Sequence, residues 1–241
     1  MAFGALRIGS IVQVVALVTL VTAAPPLRGQ EPGSGNVQRR VAELKQAVAA
    51  NKAKLRQYQW LQTTEVSVKG ETKKEQQQQV RYGPDGTLVK TPVGEPEQPQ
   101  QQARGLKGRI VTKKVDEMKD YIERTKTLIA HYVPPDAEMM QASLQAGKAS
   151  VNPGAAMTTI IFTDYYKPGD KVTFGFDTTA KKVRSYDIST YLDDPVKDVV
   201  TVTNRFAALP DGTNYLQQTI LDMSAKRIQI TTTNSGQSRV D

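Results

Sequence analysis

The chain has no cysteine, one histidine and one tryptophan among its 241 residues, and each shortage closes off a class of chemistry. Without cysteine there is no disulfide framework, no thiol nucleophile and no lipid-attachment point. With His131 as the sole histidine, no metal site built on two histidines can form within one chain. Its place near the end of a helical stretch suits a ring that complements the helix dipole. No serine lies in a Gly-x-Ser-x-Gly elbow, since Gly33-Ser34-Gly35 belongs to a Pro/Gly/Ser run. Gly147-Lys148 lacks the earlier glycine of a phosphate loop, and Ala149 has no hydroxyl for magnesium. The acids Asp170, Asp193, Asp194 and Asp198 match no calcium-loop spacing, and aspartate at strand ends is ordinary turn chemistry. The reading is therefore of a protein that is not an enzyme, with no catalytic residue, metal or cofactor. A hydrolase using carboxylates from separate strands is the third alternative.

Long apolar runs are also scarce. The main one, Ile8–Ala24, follows the single charge of Arg7, is broken by Gly9, Ser10, Gln13 and Thr19, and ends in Val-Thr-Ala-Ala. That is the pattern of a cleaved signal peptide over residues 1–24. It is short and weak for a membrane span. A periplasmic or secreted protein with no stable transmembrane anchor is expected. Pro25–Asn36 is read as a flexible tether, 37–234 as one domain, and 235–241 as a disordered tail.

What the chain has in quantity is alternation. Strands are expected at 158–166, 170–177, 182–192, 197–207, 213–222 and 226–233, separated by turn signals such as Lys167-Pro168-Gly169-Asp170 and Pro210-Asp211-Gly212. Val172, Phe174 and Phe176 share one face, as do Tyr186 and Ile188, while Thr173, Ser185 and Thr201 fall on the other. Tyr58, Trp60, Val66 and Val68 alternate with polar residues in an earlier strand. Two more follow at 73–82 and 87–91, joined by Gly83-Pro84-Asp85-Gly86. Helices are expected over Val37–Arg56, Ile110–Tyr132 and Pro135–Ala146, the second with an apolar stripe through Met118 and Ile122, the third with Met139 and Met140. Residues 92–108, rich in Gln and Pro, are read as a mobile loop. The fold class is α+β: a strongly curved antiparallel sheet of about nine strands, a half-barrel, covered by about three helices.

The Val37–Arg56 helix leading into Tyr58-Gln59-Trp60-Leu61, the hairpin Arg81-Tyr82-Gly83-Pro84-Asp85-Gly86 and the terminal meander together resemble the LolA/LolB/LppX group of lipoprotein carriers. The resemblance covers roughly residues 37–233 and rests on element order. It implies an unclosed barrel that holds acyl chains beneath a helical lid.

Two function classes follow. In the first, a lipid or other hydrophobic or acylated ligand sits between sheet and helices. Tyr58, Trp60 and Val66 would line the front of that cleft, and Phe174, Phe176, Tyr186 and Ile188 its floor. Met118, Ile122, Met139 and Met140 would form its lid, the methionines adapting to varied ligands. In the second, the core is filled and the protein is a basic scaffold. The chain carries 32 basic against 24 acidic residues, concentrated in 37–60 and 103–119, which favours an anionic lipid surface or an acidic envelope protein. Arg39, Arg40, Lys52, Lys54, Arg104, Lys107 and Arg109 would make that contact. Nucleic acid is not expected as a partner, because no aromatic–basic interleaving is present.

Overall fold

The computed structural model describes residues 42, 46, 50–94 and 106–240, with side chains in the second helix described from residue 113. The signal peptide, the tether, Arg39, Arg40, Arg104 and most of the 92–108 loop lie outside the described residues.

Ten strands form one antiparallel sheet. In chain order they are β1 (Tyr58–Val68), β2 (Glu71–Tyr82), β3 (Leu88–Pro92), β4 (Ala149–Pro153), β5 (Thr158–Thr163), β6 (Lys171–Asp177), β7 (Lys182–Tyr191), β8 (Val199–Ala208), β9 (Asn214–Met223) and β10 (Ile228–Arg239). The helices are α1 (helical over 50–55), α2 (Leu106–Ile129) and α3 (Ala137–Gln145). The sheet runs β3-β2-β1-β10-β9-β8-β7-β6-β5-β4 and does not close. Every neighbour is a hairpin partner except β1 and β10, which join the front three strands to the rest. The two edges are short and end in Pro92 and Pro153, residues that cannot donate to a further strand.

One expectation is sharpened here and one corrected. The sheet of about nine strands has ten, because Ala149–Pro153 pairs with β5 from Ala149↔Phe162 to Pro153↔Thr158. The tail is not disordered through 239: Ser235, Ser238 and Arg239 pair with Leu61, Gln59 and Tyr58 of β1. Both segments lack an apolar alternation of their own and gain order from an existing partner strand.

Alternation fixes the faces. On the concave side Phe162, Val172, Ile188, Val202, Leu221, Ile230 and Val66 follow one another across the strands, register by register. Four irregularities, at Gln59/Leu61, Val66/Ser67, Gly175/Phe176 and Arg205/Phe206, interrupt the ladders and increase local twist. At Gly175 a Cβ would lie 2.4 Å from the Ser185 hydroxyl and 2.9 Å from the Met157 sulfur, so a side chain there would force both to shift.

α2 lies on this concave face through Tyr121, Ile122, Leu128 and Ile129, the i, i+3/i+4 rows that a helix presents to a sheet. Tyr132, just past its end, is fully enclosed. Asp136 caps α3, its carboxylate accepting from the Glu138 and Met139 amides at 2.7 and 3.1 Å. Gly147, at φ +70°, turns the chain out of α3 into β4.

Candidate functional site

The concave face has two chemically distinct halves. Beneath α2 and α3 it is apolar. Val66, Ile122, Met140, Phe174, Phe176, Tyr186 and Ile188 join one buried cluster, with Met118 and Met139 partly buried against it. Nine of the expected ligand-binding side chains are thus brought together. Tyr58 and Trp60 are buried too, but stand at the far end of β1, outside this cluster. Phe176 is 0% exposed, Ile188 2% and Met140 3%, so the floor is in contact with its cover.

Tyrosine–aspartate bonds fasten that cover. The Tyr121 hydroxyl bonds the Asp198 carboxylate in the loop before β8. The Tyr132 hydroxyl donates to Asp170 at 2.6 Å and lies 2.8 Å from the Thr190 hydroxyl. Tyr186 in β7 donates to the Tyr132 carbonyl at 2.5 Å. Asp170 also accepts the backbone N–H groups of Tyr165, Tyr166 and Lys167 at 2.5, 3.0 and 2.9 Å. Burial, reinforced by the adjacent carboxylates, pushes the phenols of Tyr121 and Tyr132 far above their ordinary range, so both remain protonated donors. None of these anchors stands out in the sequence as a pair, because the partners are 77 and 38 residues apart.

α3 is held differently. Its buried residues are Met140 and Ser143, and the Tyr165 hydroxyl bridges its N-terminal end, accepting from the Asp136 amide at 2.7 Å and approaching its carbonyl at 3.2 Å.

Toward β1, β2 and β10 the concave face turns polar. Thr64 faces Thr232 and Gln76, and Gln62 faces Asn234 and Gln78. The Asn234 side-chain oxygen accepts from Trp60 Nε1 at 2.9 Å and from Gln62 Nε2 at 3.0 Å, while its amide nitrogen donates to the Leu216 carbonyl at 2.8 Å. On β8 and β9 the Asn204 amide donates to the Tyr186 carbonyl at 2.7 Å and accepts from Thr219 at 2.7 Å. A buried polar row of this kind is stable only when each member finds a partner.

The other singled-out residues have local roles. His131 is exposed in the turn after α2 and stacks on Tyr166, ring centroids 4.1 Å apart. Asp194 accepts the amides of Val196 and Lys197, and Asp193 pairs with Arg124. Lys52 is half-buried and Lys54 exposed on α1, and Lys107 and Arg109 lie in the first turn of α2. No helix among the described residues is long and apolar enough to cross a membrane.

No protein-family model matches the chain, and no curated protein matches it. Two solved structures overlap most of it. One is a DUF1329 family protein from Desulfovibrio piger, at 8% identity and a TM-score of 0.40 over 87% of this chain and 94% of the other. The second is a LolA superfamily protein from Nitrosomonas europaea, at 10% identity and a TM-score of 0.36 over 88% and 95%. At TM-scores this low the likenesses carry no argument about ligand or activity. The chain is similar to both in its span, and its ten-stranded, open, curved antiparallel sheet with helices on one face places it in the α+β class.

Proposed function

We propose that this is an exported, non-enzymatic binding protein that takes a lipid or acylated ligand between the sheet and α3. The observation that carries this reading is the continuous apolar cluster from Val151 in β4 to Val66 in β1, roofed in part by a nine-residue helix whose inward side chains are Met139, Met140 and Leu144. Of the two helices on the cluster, α3 is the one that can leave. α2 is fixed by Tyr121 and Tyr132, whereas α3, pivoting where the Tyr165 hydroxyl holds Asp136, gives up the burial of a few side chains, each worth roughly 1.5–3 kcal/mol. An acyl chain laid over Ile160, Phe162 and Phe174 would replace those contacts with equivalent ones, so the exchange is nearly balanced.

The test is native mass spectrometry of the protein purified from its source, followed by organic extraction and titration with a fluorescent fatty acid. A co-purifying lipid and saturable uptake are expected, and Met139→Asp should abolish uptake in a folded protein. A clean apo mass with no uptake refutes the reading.

The near-zero exposure of Phe176 and Ile188 favours a second reading, a filled core on a basic scaffold that meets an acidic envelope partner or an anionic lipid surface. Such binding would fall steeply with added salt, whereas apolar uptake would barely change.

A further inference from the structure

The polar half of the concave face contains a cation and a phenol that no feature of the fold requires, and an exposed second cation stands beside the β2–β3 turn. Lys90 in β3 stands in one cross-strand row with Val80 and Trp60, facing inward. Its ammonium donates to Gln62 Oε1 at 2.9 Å. Burial alone lowers its affinity for a proton, with no carboxylate opposing the effect. Among the described residues it has no ion pair. In the next row Tyr82 pairs with Leu88, its ring 5.8 Å from that of Trp60. The Tyr82 hydroxyl is enclosed and has no hydrogen-bond partner, and burial pushes it up to about 12. Arg56, at the end of α1, supplies a second cation. Its guanidinium lies against Gly86 in the β2–β3 turn, where a Cβ would come within 2.3 Å of Nη2, and its charge reaches the Tyr82 phenol. The nearest acid of that turn, Asp85, is taken up by the Thr87 amide and hydroxyl.

A half-buried ammonium without a counter-charge and an enclosed hydroxyl without an acceptor are each unfavourable in isolation. What each lacks, a counter-charge for Lys90 and an acceptor for Tyr82, is what an oxyanion offers. We propose that the inward face of β1–β3 is a binding site for a carboxylate or phosphate group, held by Lys90, Tyr82 and Arg56. It lies about four to six residues along β1 from Val66, roughly 13–20 Å at strand rise, so it stands outside the apolar cluster and its existence does not depend on uptake beneath α3. The anion is either the head group of an amphiphile or a small free ion, and Trp60 reports on both. As the sole tryptophan, hydrogen-bonded to Asn234 and packed near Tyr82, its fluorescence reads this row and no other.

The experiment titrates Trp60 emission in the full chain with oleate, with uncharged oleyl alcohol, with acetate and with inorganic phosphate. It is repeated with Lys90→Gln and the charge-retaining Lys90→Arg, their fold checked by circular dichroism. Oleate affinity should fall about tenfold or more in Lys90→Gln, the loss of one charge-assisted contact, recover in Lys90→Arg, and be unmatched by any change for oleyl alcohol. Tyr82→Phe should weaken oleate in the same direction. Lys90-dependent binding of acetate or phosphate without uptake of oleyl alcohol would support the site as one for a free ion while removing the acyl-ligand reading. Oleate binding equally to wild type and Lys90→Gln, or no anion altering Trp60, overturns the site and leaves that reading untouched.

Discussion

Replacing Asp170 by Asn should be among the most damaging isosteric changes available to this fold. The carboxylate is 2% exposed and accepts from four donors: Oδ1 from the Tyr165 amide, and Oδ2 from the Tyr166 and Lys167 amides and the Tyr132 hydroxyl. Asparagine keeps the shape but offers one acceptor oxygen and an NH2 group. If the oxygen takes the Oδ2 position, the NH2 confronts the Tyr165 N–H. In the opposite orientation three donors face it. Hydrogen bonds to a charged acceptor contribute about 1.5–3 kcal/mol each, and a buried donor left unpaired costs about 1–3 kcal/mol. The better orientation therefore loses one such bond and weakens three, an expected destabilisation of about 3 kcal/mol. Urea unfolding followed by far-ultraviolet circular dichroism measures it, the midpoint shifting without a change in slope. Tyr132→Phe removes only one of the four contacts and should cost about half as much, and the double variant should cost less than the sum because both act on one network. If Asp170→Asn costs under about 1 kcal/mol, this network does not fasten α2 to the sheet.

Two further outcomes test the front half of the sheet. Asp211 is held well below the usual carboxylate range, first by the Thr213 amide and then by the Tyr58 hydroxyl, with Arg239 adding to it. A depressed folded value means its stabilisation is present above about pH 4 and is lost as pH falls through the folded value. The stability gap between wild type and Asp211→Asn, from urea midpoints at pH 7, 4 and 2.5, should therefore shrink with acid, and a constant gap refutes the assignment. Ending the chain after Asn234 removes the partners of Tyr58, Gln59 and Leu61 and the bond from the Val240 amide to the Gln57 carbonyl at 2.8 Å. At about 0.5–1.5 kcal/mol per backbone bond, a loss of roughly 2–4 kcal/mol is expected by thermal melt, with Trp60 emission shifting to the red. An unchanged melt would mean that this strand extension does not contribute.

The parts of this fold that could be read from residues are those where local chemistry repeats. Pro-Asp-Gly and Pro-Gly-Asp turns bracket strands whose apolar residues alternate, and Phe174, Tyr186 and Val202 fall on the face their parity assigns. What was not legible depends on partners distant in the chain. Asn234–Ser238, beyond the expected end of the last strand at 233, is a polar run without contrast between faces, yet it is a strand because it lies beside β1, Asn234 against Gln62 and Ser238 against Gln59. Ala149–Pro153 is too short and too poor in apolar residues to be recognised until β5 is beside it. The same holds for the candidate sites. Met139, Met140 and Phe174 are conspicuous by type, but Lys90 and Tyr82 sit among ordinary surface-looking residues. Only the β1–β2–β3 register turns them inward.

The order of strands has a consequence for how the chain reaches its folded state. In the sheet β10 is the sole connection between β1–β3 and β4–β9, and Val68 meets Ile228, 160 positions further along the chain. Before that last strand is available, two meanders can form, each ending in an unpaired edge, β1 in one and β9 in the other. Closing so long a loop is slow, and the exposed edges in the interval are templates for pairing with other chains. Final assembly is thus a late event that waits for β10. The polar character of β1, β2 and β10 becomes intelligible in kinetic terms: threonine and glutamine at the waiting edge keep it soluble where valine and isoleucine would recruit a neighbour.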